Sequence, residues 1–429
     1  MKKLSIIILL IFASFSALFA QNDTLKVMQY NLLNYGNNTS YCTTTNNNIE
    51  DKNGYIRTIL TAYYPDIFTV CEMGRNNTLP NSFLNNNLNI NGINYWMTGA
   101  GANTANSSLT NCVFYNSLKL TLIGHHVAQT YTRDVDVYDF KFKNDNSGQI
   151  ILTCVIAHLK AGTGSDNEGK RKIMAENTMS YLESNYRERN VLIMGDFNLY
   201  KASEPAYQAL TNQTAYPDAY FIDPLYPYGV GNWNNNYNYT NYHTQATHKE
   251  NDSNCHSYGG MDDRFDFILM SENIYGGRDR IRYIGGSYNA LGNDGNRFNN
   301  SINSPMNTAV SQDVANALFH NSDHIPVTME LVVSCNEDIN ELSSNELSFD
   351  IFPNPTSKEI NIRFYQENLN NANILLFNAL GQTVYSEDIC VNDCLTEHVI
   401  PVANLPKGLY FLKITNADGL TNTSKIVVE

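Results

Sequence analysis

The chain has 429 residues, enough for two or three domains and a large core, with two as the expectation. Its net charge is -14, from 28 Lys and Arg against 42 Asp and Glu. That balance excludes gripping a polyanion through a broad basic face; such a partner would be held by a few local cations, backbone groups and a bound metal.

Residues 1–20 open with Lys2 and Lys3, continue through an apolar run over 6–12 and end on Ala-Leu-Phe-Ala, the layout of a secretory signal peptide. The run is shorter than the roughly 20 residues needed to span a bilayer, and no later segment approaches that length, so no stable membrane insertion is expected. Over 24–334, apolar runs of strand length alternate with helical segments, an α/β pattern. The first run, VMQYNLLN, contains Asn31. Ile56, Ile59, Leu60 and Tyr63 follow helical spacing. DIFTVCE (66–72) ends on Glu72, with Arg75 three residues later. ILTCVIAHL (151–159) carries His158, and Lys160 follows on the same side of a strand. Residues 167–189 place Met174, Thr178 and Leu182 on one helical stripe. VLIMGDF (191–197) carries Asp196, followed by Asn198; FDFILM (265–270) carries Asp266; FHNSDHIPV carries Asp323 and His324. Four of these runs (66–72, 151–159, 191–197 and 265–270) are apolar on both faces, as in sheets covered on both sides.

Two loops are long: 216–263, rich in Asn, Tyr and His, and 285–321, rich in Asn and Gly. Aromatic loops of this length read as a binding rim, against the plainer reading of a solvated surface decoration. Of the eight cysteines, Cys71 and Cys154 lie in apolar runs and are expected as buried thiols. Cys390 with Cys394, and some pairing among Cys42, Cys112, Cys255 and Cys335, are open as disulfides. A polar linker is expected at 335–348. Beyond it, over 349–429, alternating residues such as Ile360, Ile362 and Phe364, with turns at Gly381 and Asp418-Gly419, predict an antiparallel sandwich of about seven strands without chemistry of its own.

A lone strand-end His is more often a structural hydrogen-bonder, and a strand-end Asp or Asn a turn former. Six such positions in one chain make a different case. The order Asn31, Glu72, His158, Asp196-x-Asn198, Asp266, Asp323-His324, with its GDFN and SDH segments, resembles the endonuclease/exonuclease/phosphatase superfamily, which includes pancreatic-type deoxyribonucleases, exonuclease III-like enzymes and bacterial sphingomyelinases. The resemblance implies a four-layer α-β-β-α sandwich with a site where the strand ends of two sheets meet. It also implies a hydrolase, a metal-dependent phosphodiesterase and endonuclease with nucleic acid as substrate. The residue types suit that chemistry: Glu72 and Asn31 offer oxygen ligands to Mg²⁺ or Mn²⁺, with Ca²⁺ admitted as a structural ion. Asp196 would activate water and Asn198 donate to a phosphoryl oxygen. Asp323 would orient His324, and the resemblance pairs His158 with Asp266 as a second acid/base couple. Lys160 and Arg75 are candidate phosphate contacts. A lipid phosphodiester, as in sphingomyelinases, or a small phosphoester is the alternative substrate. A non-catalytic binding module is the third reading.

Residues 349–429 resemble the sorting domain of the type IX secretion system, through FPNP, LLFNALGQTVY, LPKGLYFLKI and TSKIVVE. That implies the secretion machinery as partner, passage through the periplasm, and an extracellular or cell-surface destination. A monomer is expected.

Overall fold

The computed structural model describes residues 22–335 except 146, 226–230 and 253, and residues 349–428 except 353, 365–371, 390–396 and 417–420. The leader expected at 1–20, the linker beyond Cys335 and the pair Cys390 and Cys394 lie outside the described residues. In chain order the first part begins β1 (Asn22–Tyr35), α1 (Ile49–Leu60), β2 (Ile67–Gly74), α2 (Leu79–Phe83), β3 (Trp96–Ala100) and β4 (Leu109–Asn116). Next come β5 (Leu120–Gln129), β6 (Val135–Phe142), β7 (Ile151–Ile156), α3 (Ser165–Asn185), β8 (Asn190–Asp196) and α4 (Pro205–Thr211). It closes with β9 (Phe221–Ile222), β10 (Asp266–Ser271), α5 (Glu272–Gly276), β11 (Ile281–Tyr283), β12 (Asn289–Ala290), α6 (Gln312–Asn321) and β13 (Val327–Ser334).

These strands make two sheets, ordered β11-β13-β1-β2-β4-β3, with β12 on β13, and β5-β6-β7-β8-β10-β9. Because strand side chains alternate faces, each sheet buries two sets of residues. Val27, Ile67 and Met329 of the first sheet pack with Phe140, Cys154, Leu192 and Ile268 of the second in one central cluster. The neighbouring residues Met28 and Phe68 turn the other way, onto Ile56 and Ile59 of α1 and Leu318 of α6. Val155 and Ile193 likewise turn outward onto Met174, Met179 and Leu182 of α3. Three apolar layers therefore separate four structural ones, the α-β-β-α sandwich that the family resemblance implied, with both sheets covered on both faces as the apolar runs required.

The stretch 285–321, expected as loop throughout, ends in α6. Ser311 caps it by accepting from the Val314 N–H, and Val314, Ala315, Ala317 and Leu318 bury one face. Its ten residues are too few for the apolar stripe to stand out against the Asn-rich run before it. Cys71, Cys112, Cys154 and Cys335 are buried thiols, whereas Cys42 and Cys255 form a disulfide.

The second part holds β14 (Phe349–Phe352), β15 (Glu359–Phe364), β16 (Ala372–Asn378), β17 (Thr383–Ile389), β18 (Glu397–Pro401), β19 (Gly408–Asn416) and β20 (Thr421–Val428). They form antiparallel sheets β14-β15-β18 and β17-β16-β19-β20. Ile360, Ile362, Phe364 and Ile400 of one meet Ile374, Leu376, Leu412 and Ile414 of the other in a single cluster. Asn354 of the FPNP turn donates to the Lys425 carbonyl (2.7 Å) and accepts from the Val427 N–H (2.9 Å), so this turn is stitched to the final strand.

Candidate active site

Strand register creates the site. β7 and β8 run parallel, so both deliver their C-terminal ends to one edge; β10 runs antiparallel to β8 and starts there, with Asp266 paired directly to Asp196. In the first sheet β1 and β2 are also parallel, and Asn31 is in register with Cys71. Register shifts follow between Asn31 and Tyr35 on β1 and between Val70 and Met73 against β4, so both strands bulge at this edge. Leu33, Asn34, Glu72 and Asn198 all have positive φ, between 46° and 61°. Left-handed backbone costs non-glycine residues on the order of 1 kcal/mol or more each, so strain is concentrated at this edge, where the Asn34 N–H donates to Glu72 Oε2 at 3.0 Å.

Gly195 of the GDFN segment has φ +148°, and a Cβ there would meet the Ala157 carbonyl oxygen at 1.8 Å. That close approach lets Ala157 and Leu159 donate to the carbonyls of Met194 and Asp196, both at 2.9 Å, which sets His158 beside Asp196. Gly195→Ala is expected to destabilise the protein by about 3 kcal/mol, because backbone rather than a movable side chain stands in the way. An unchanged urea midpoint would refute this.

Asp196 and Asp266 are directly opposed carboxylates, an arrangement that is unfavourable unless something positive lies between them. His324 does. Its Nδ1–H donates to Asp266 Oδ2 at 2.7 Å, and its Nε2 lies 3.7 Å from Asp196 Oδ2. Burial alone would lower the imidazole pKa, but Asp266 and Asp196 outweigh it and hold His324 well above the usual range. Burial, reinforced by Asp266 and Glu72, pushes Asp196 up to about 7 despite the counter-pull of His324. The Gln245 amide nitrogen meets His324 Nε2 at 2.7 Å and donates to Asp323 Oδ2 at 3.2 Å. With His324 protonated at Nε2, the Gln245 amide must present its oxygen there, because Nε2–H can only donate.

Two expectations need correction. Asp266 is the partner of His324 and not of His158, because the opening of β10 faces the turn that precedes β13. Asp323 does not orient His324: it lies 4.0 Å from Nε2, and its Oδ2 accepts instead from the Ser257 N–H at 2.9 Å. His158 Nε2 sits 3.6 Å from Asp196 Oδ2 and 3.7 Å from Glu72 Oε1. Burial, with Arg133 and His324 nearby, lowers its pKa well below the usual range, so it is neutral.

Asn31 also departs from expectation. Its amide oxygen accepts from the Leu33 N–H (2.9 Å), while its nitrogen donates to Glu72 Oε1 (3.1 Å) and Asp196 Oδ2 (2.9 Å). It bridges two carboxylates as a donor instead of offering a metal oxygen. Ligand atoms of Glu72, His158 and Asp196 lie within 4.8 Å of one another. Two hard carboxylate oxygens fit a divalent cation, with the neutral His158 imidazole beside them, and the closeness of the two carboxylates favours one.

Asn198 donates its backbone N–H to Asp196 Oδ1 (3.0 Å) and its side chain to the Leu159 carbonyl (3.4 Å). Lys160 Nζ donates to the Ala161 carbonyl (2.8 Å). Arg75 is exposed and donates to Asn106 Oδ1, and among the described residues no hydrogen bond or ion pair ties it to the carboxylate cluster.

The sequence did not single out several contributors. Ser322 donates to the Asn31 carbonyl (2.8 Å) and accepts from the His324 N–H (3.1 Å), joining β1 to the SDH turn. Lys52 donates to the carbonyls of Leu33 (3.3 Å) and Asn321 and is fully buried, which lowers its pKa to about 7. Its spacing to Ile56 and Ile59 puts it on the buried stripe of α1, a signal that was available. Gln245 and Arg133 carry no sequence signal of this kind. The 216–263 loop is also more internal than a rim: Trp233, His243, Thr244 and Thr247 are buried, whereas Tyr237 and Tyr258 are exposed.

Residues 350–429 match the family described as "Secretion system C-terminal sorting domain". No curated protein matches the chain. Among solved structures, it is similar to an endonuclease/exonuclease/phosphatase family protein from Bacteroides thetaiotaomicron, at 15% identity and TM-score 0.45, covering 73% of this chain and 97% of that one. A mannosyl-6-phosphatase from the same organism gives 15% identity and TM-score 0.43, over 72% and 99%. D. rerio TDP2 complexed with a single-strand DNA product gives 11% and 0.43, over 72% and 98%.

Proposed function

The chain carries a secretion-system C-terminal sorting domain over residues 350–429, which marks it for secretion or the cell surface, and on that premise we propose that the preceding residues are an exported, divalent-metal-dependent phosphodiesterase acting on nucleic acid. The observation that carries this reading is the juxtaposition of Glu72, His158 and Asp196 with the Asp266–His324 couple at one edge of both sheets.

A divalent cation held by Glu72 and Asp196, with His158 beside them, would neutralise charge on the phosphoryl oxygens. The chain's own groups do the rest. Asp196 would be kept ionised by a cation held there, and its carboxylate could then accept a hydrogen bond from an attacking water and orient it. Asp266 fixes the His324 ring, so that Nε2 is the nitrogen that takes or returns a proton. His158, neutral and buried, can donate to a phosphoryl or leaving oxygen. Lys160 and Arg133 add positive charge near the His158 turn. Gln245 follows the protonation of His324 by turning its amide.

A small phosphodiester or phosphomonoester is the second reading, favoured by the net charge of -14. Assays of the mature chain on DNA, RNA, sphingomyelin and bis(p-nitrophenyl) phosphate, with and without EDTA, separate these substrates. EDTA is expected to abolish turnover. Glu72→Gln is expected to lower kcat/KM by about a thousandfold, some 4 kcal/mol, with partial recovery at high Mg²⁺. Full activity in EDTA would overturn the metal dependence.

A further inference from the structure

Away from Glu72, the long loop gathers a second set of metal-ligating groups. His248 is buried, and its Nδ1 lies 2.9 Å from the Thr247 hydroxyl oxygen. That hydroxyl already donates its one proton to the Ser322 carbonyl at 2.7 Å, so it can only accept from His248. Hydrogen-bond accounting thus fixes His248 as the Nδ1–H tautomer and leaves a bare lone pair on Nε2. This nitrogen lies 3.7 Å from Asp252 Oδ1. Two acceptors at that distance repel unless a cation lies between them.

The third group is His256, whose ring stacks on His248 with centroids 4.2 Å apart and must swing out of that stack for both in-plane lone pairs to meet one ion. Both of its ring nitrogens are buried and have no hydrogen-bond partner among the described residues. A buried imidazole without partners is costly, and a metal ion is one of the few species that satisfies it. Ligand atoms of His248, Asp252 and His256 all lie within 4.8 Å of one another. Two ligands about 2.1 Å from a tetrahedral ion stand roughly 3.4 Å apart, close to the 3.7 Å between His248 and Asp252. The three residues open onto a cavity of about 270 Å³, which leaves room for water as a fourth ligand.

We propose that His248, Asp252 and His256 form a second metal site, selective for Zn²⁺ or a similar transition ion over Mg²⁺. Two imidazoles and one carboxylate match the ligand preference of zinc and are a poor set for the hard cations suited to Glu72 and Asp196. The Thr247 contact to His248 is the outer hydrogen bond that metal-bound histidines usually make. Cys255, adjacent to His256, is tied to Cys42, so one of the ligands is already anchored. The same loop supplies Gln245 and the Ser257 N–H to Asp323. An ion here would therefore brace the segment that closes one side of the candidate active site.

The test uses the full mature chain in the Glu72→Gln background, which removes the principal carboxylate of the other cluster. Equilibrium dialysis against Zn²⁺ in excess Mg²⁺, read by mass spectrometry of the metal, is expected to show one bound ion per chain. Adding Asp252→Asn should weaken that binding at least tenfold, and adding His256→Ala should remove it. Saturating Zn²⁺ should raise the melting temperature of the Glu72→Gln protein and not of the His256→Ala derivative. Asp252 is half exposed, so its replacement keeps the comparison meaningful if His256→Ala fails to fold. Zn²⁺ binding that is absent from Glu72→Gln, or unchanged by Asp252→Asn, would overturn the proposal.

Discussion

Asp266→Asn is expected to lower kcat/KM on a phosphodiester by about a thousandfold while leaving the fold in place. Asp266 is fully buried and accepts the Nδ1–H of His324 at 2.7 Å, the contact that decides which imidazole nitrogen faces the site. An amide at 266 can equally offer its NH2 to Nδ1, which shifts the proton to Nε2 and presents the wrong face. The pH dependence of stability should change with it. In the wild type, burial opposes protonation of His324 but Asp266 and Asp196 override it, so the folded-state pKa exceeds the unfolded one. A raised pKa contributes stability that is complete below about pH 6.5 and is lost as pH rises through the folded value. In EDTA, the wild type's stability margin over Asp266→Asn should therefore be largest in mildly acidic solution and shrink towards alkaline pH. A margin that grows with pH, or a variant with wild-type turnover, would remove His324 from the role given to it.

The second large effect is on stability. Arg264 lies two residues before Asp266 and is completely buried, with its guanidinium bonded to both oxygens of Asp223 at 2.7 and 2.8 Å. It also lies over the Phe267 ring, 4.2 Å from the centroid. Asp223→Ala strands this cation in the apolar layer between the second sheet and its helices, at a cost of about 3–5 kcal/mol. For a unit of this size that lowers the melting temperature by on the order of 10 °C. Replacing both partners, Asp223→Leu with Arg264→Met, should cost less than the single change, because no buried charge is left unpaired. Thermal unfolding by circular dichroism checks both, and a single variant that melts like the wild type would contradict the argument.

The apolar runs over 66–72, 151–159, 191–197 and 265–270 announced strands covered on both faces, and each carries part of a central sheet. Cys71 and Cys154 could be read as buried thiols for the same reason: burial of a strand residue follows from its immediate neighbours. The seven alternating strands of the C-terminal part, and the polar residues at the strand ends, were legible on this local footing too.

Pairings were not. Asp266 belongs to His324, 58 residues away, because β10 is registered against β8 and its first residue faces the SDH turn. Cys42 finds Cys255 across 213 residues. Gln245 reaches Asp323 and His324 from a loop without periodicity. The sequence by itself determined which residues of these strands would be buried and which polar groups would stand at their ends, since the pattern along a strand is a property of adjacent residues. Only the tertiary structure decided which of those groups meet, because strand register and loop path arise from the packing of distant layers, and no short window of sequence encodes them.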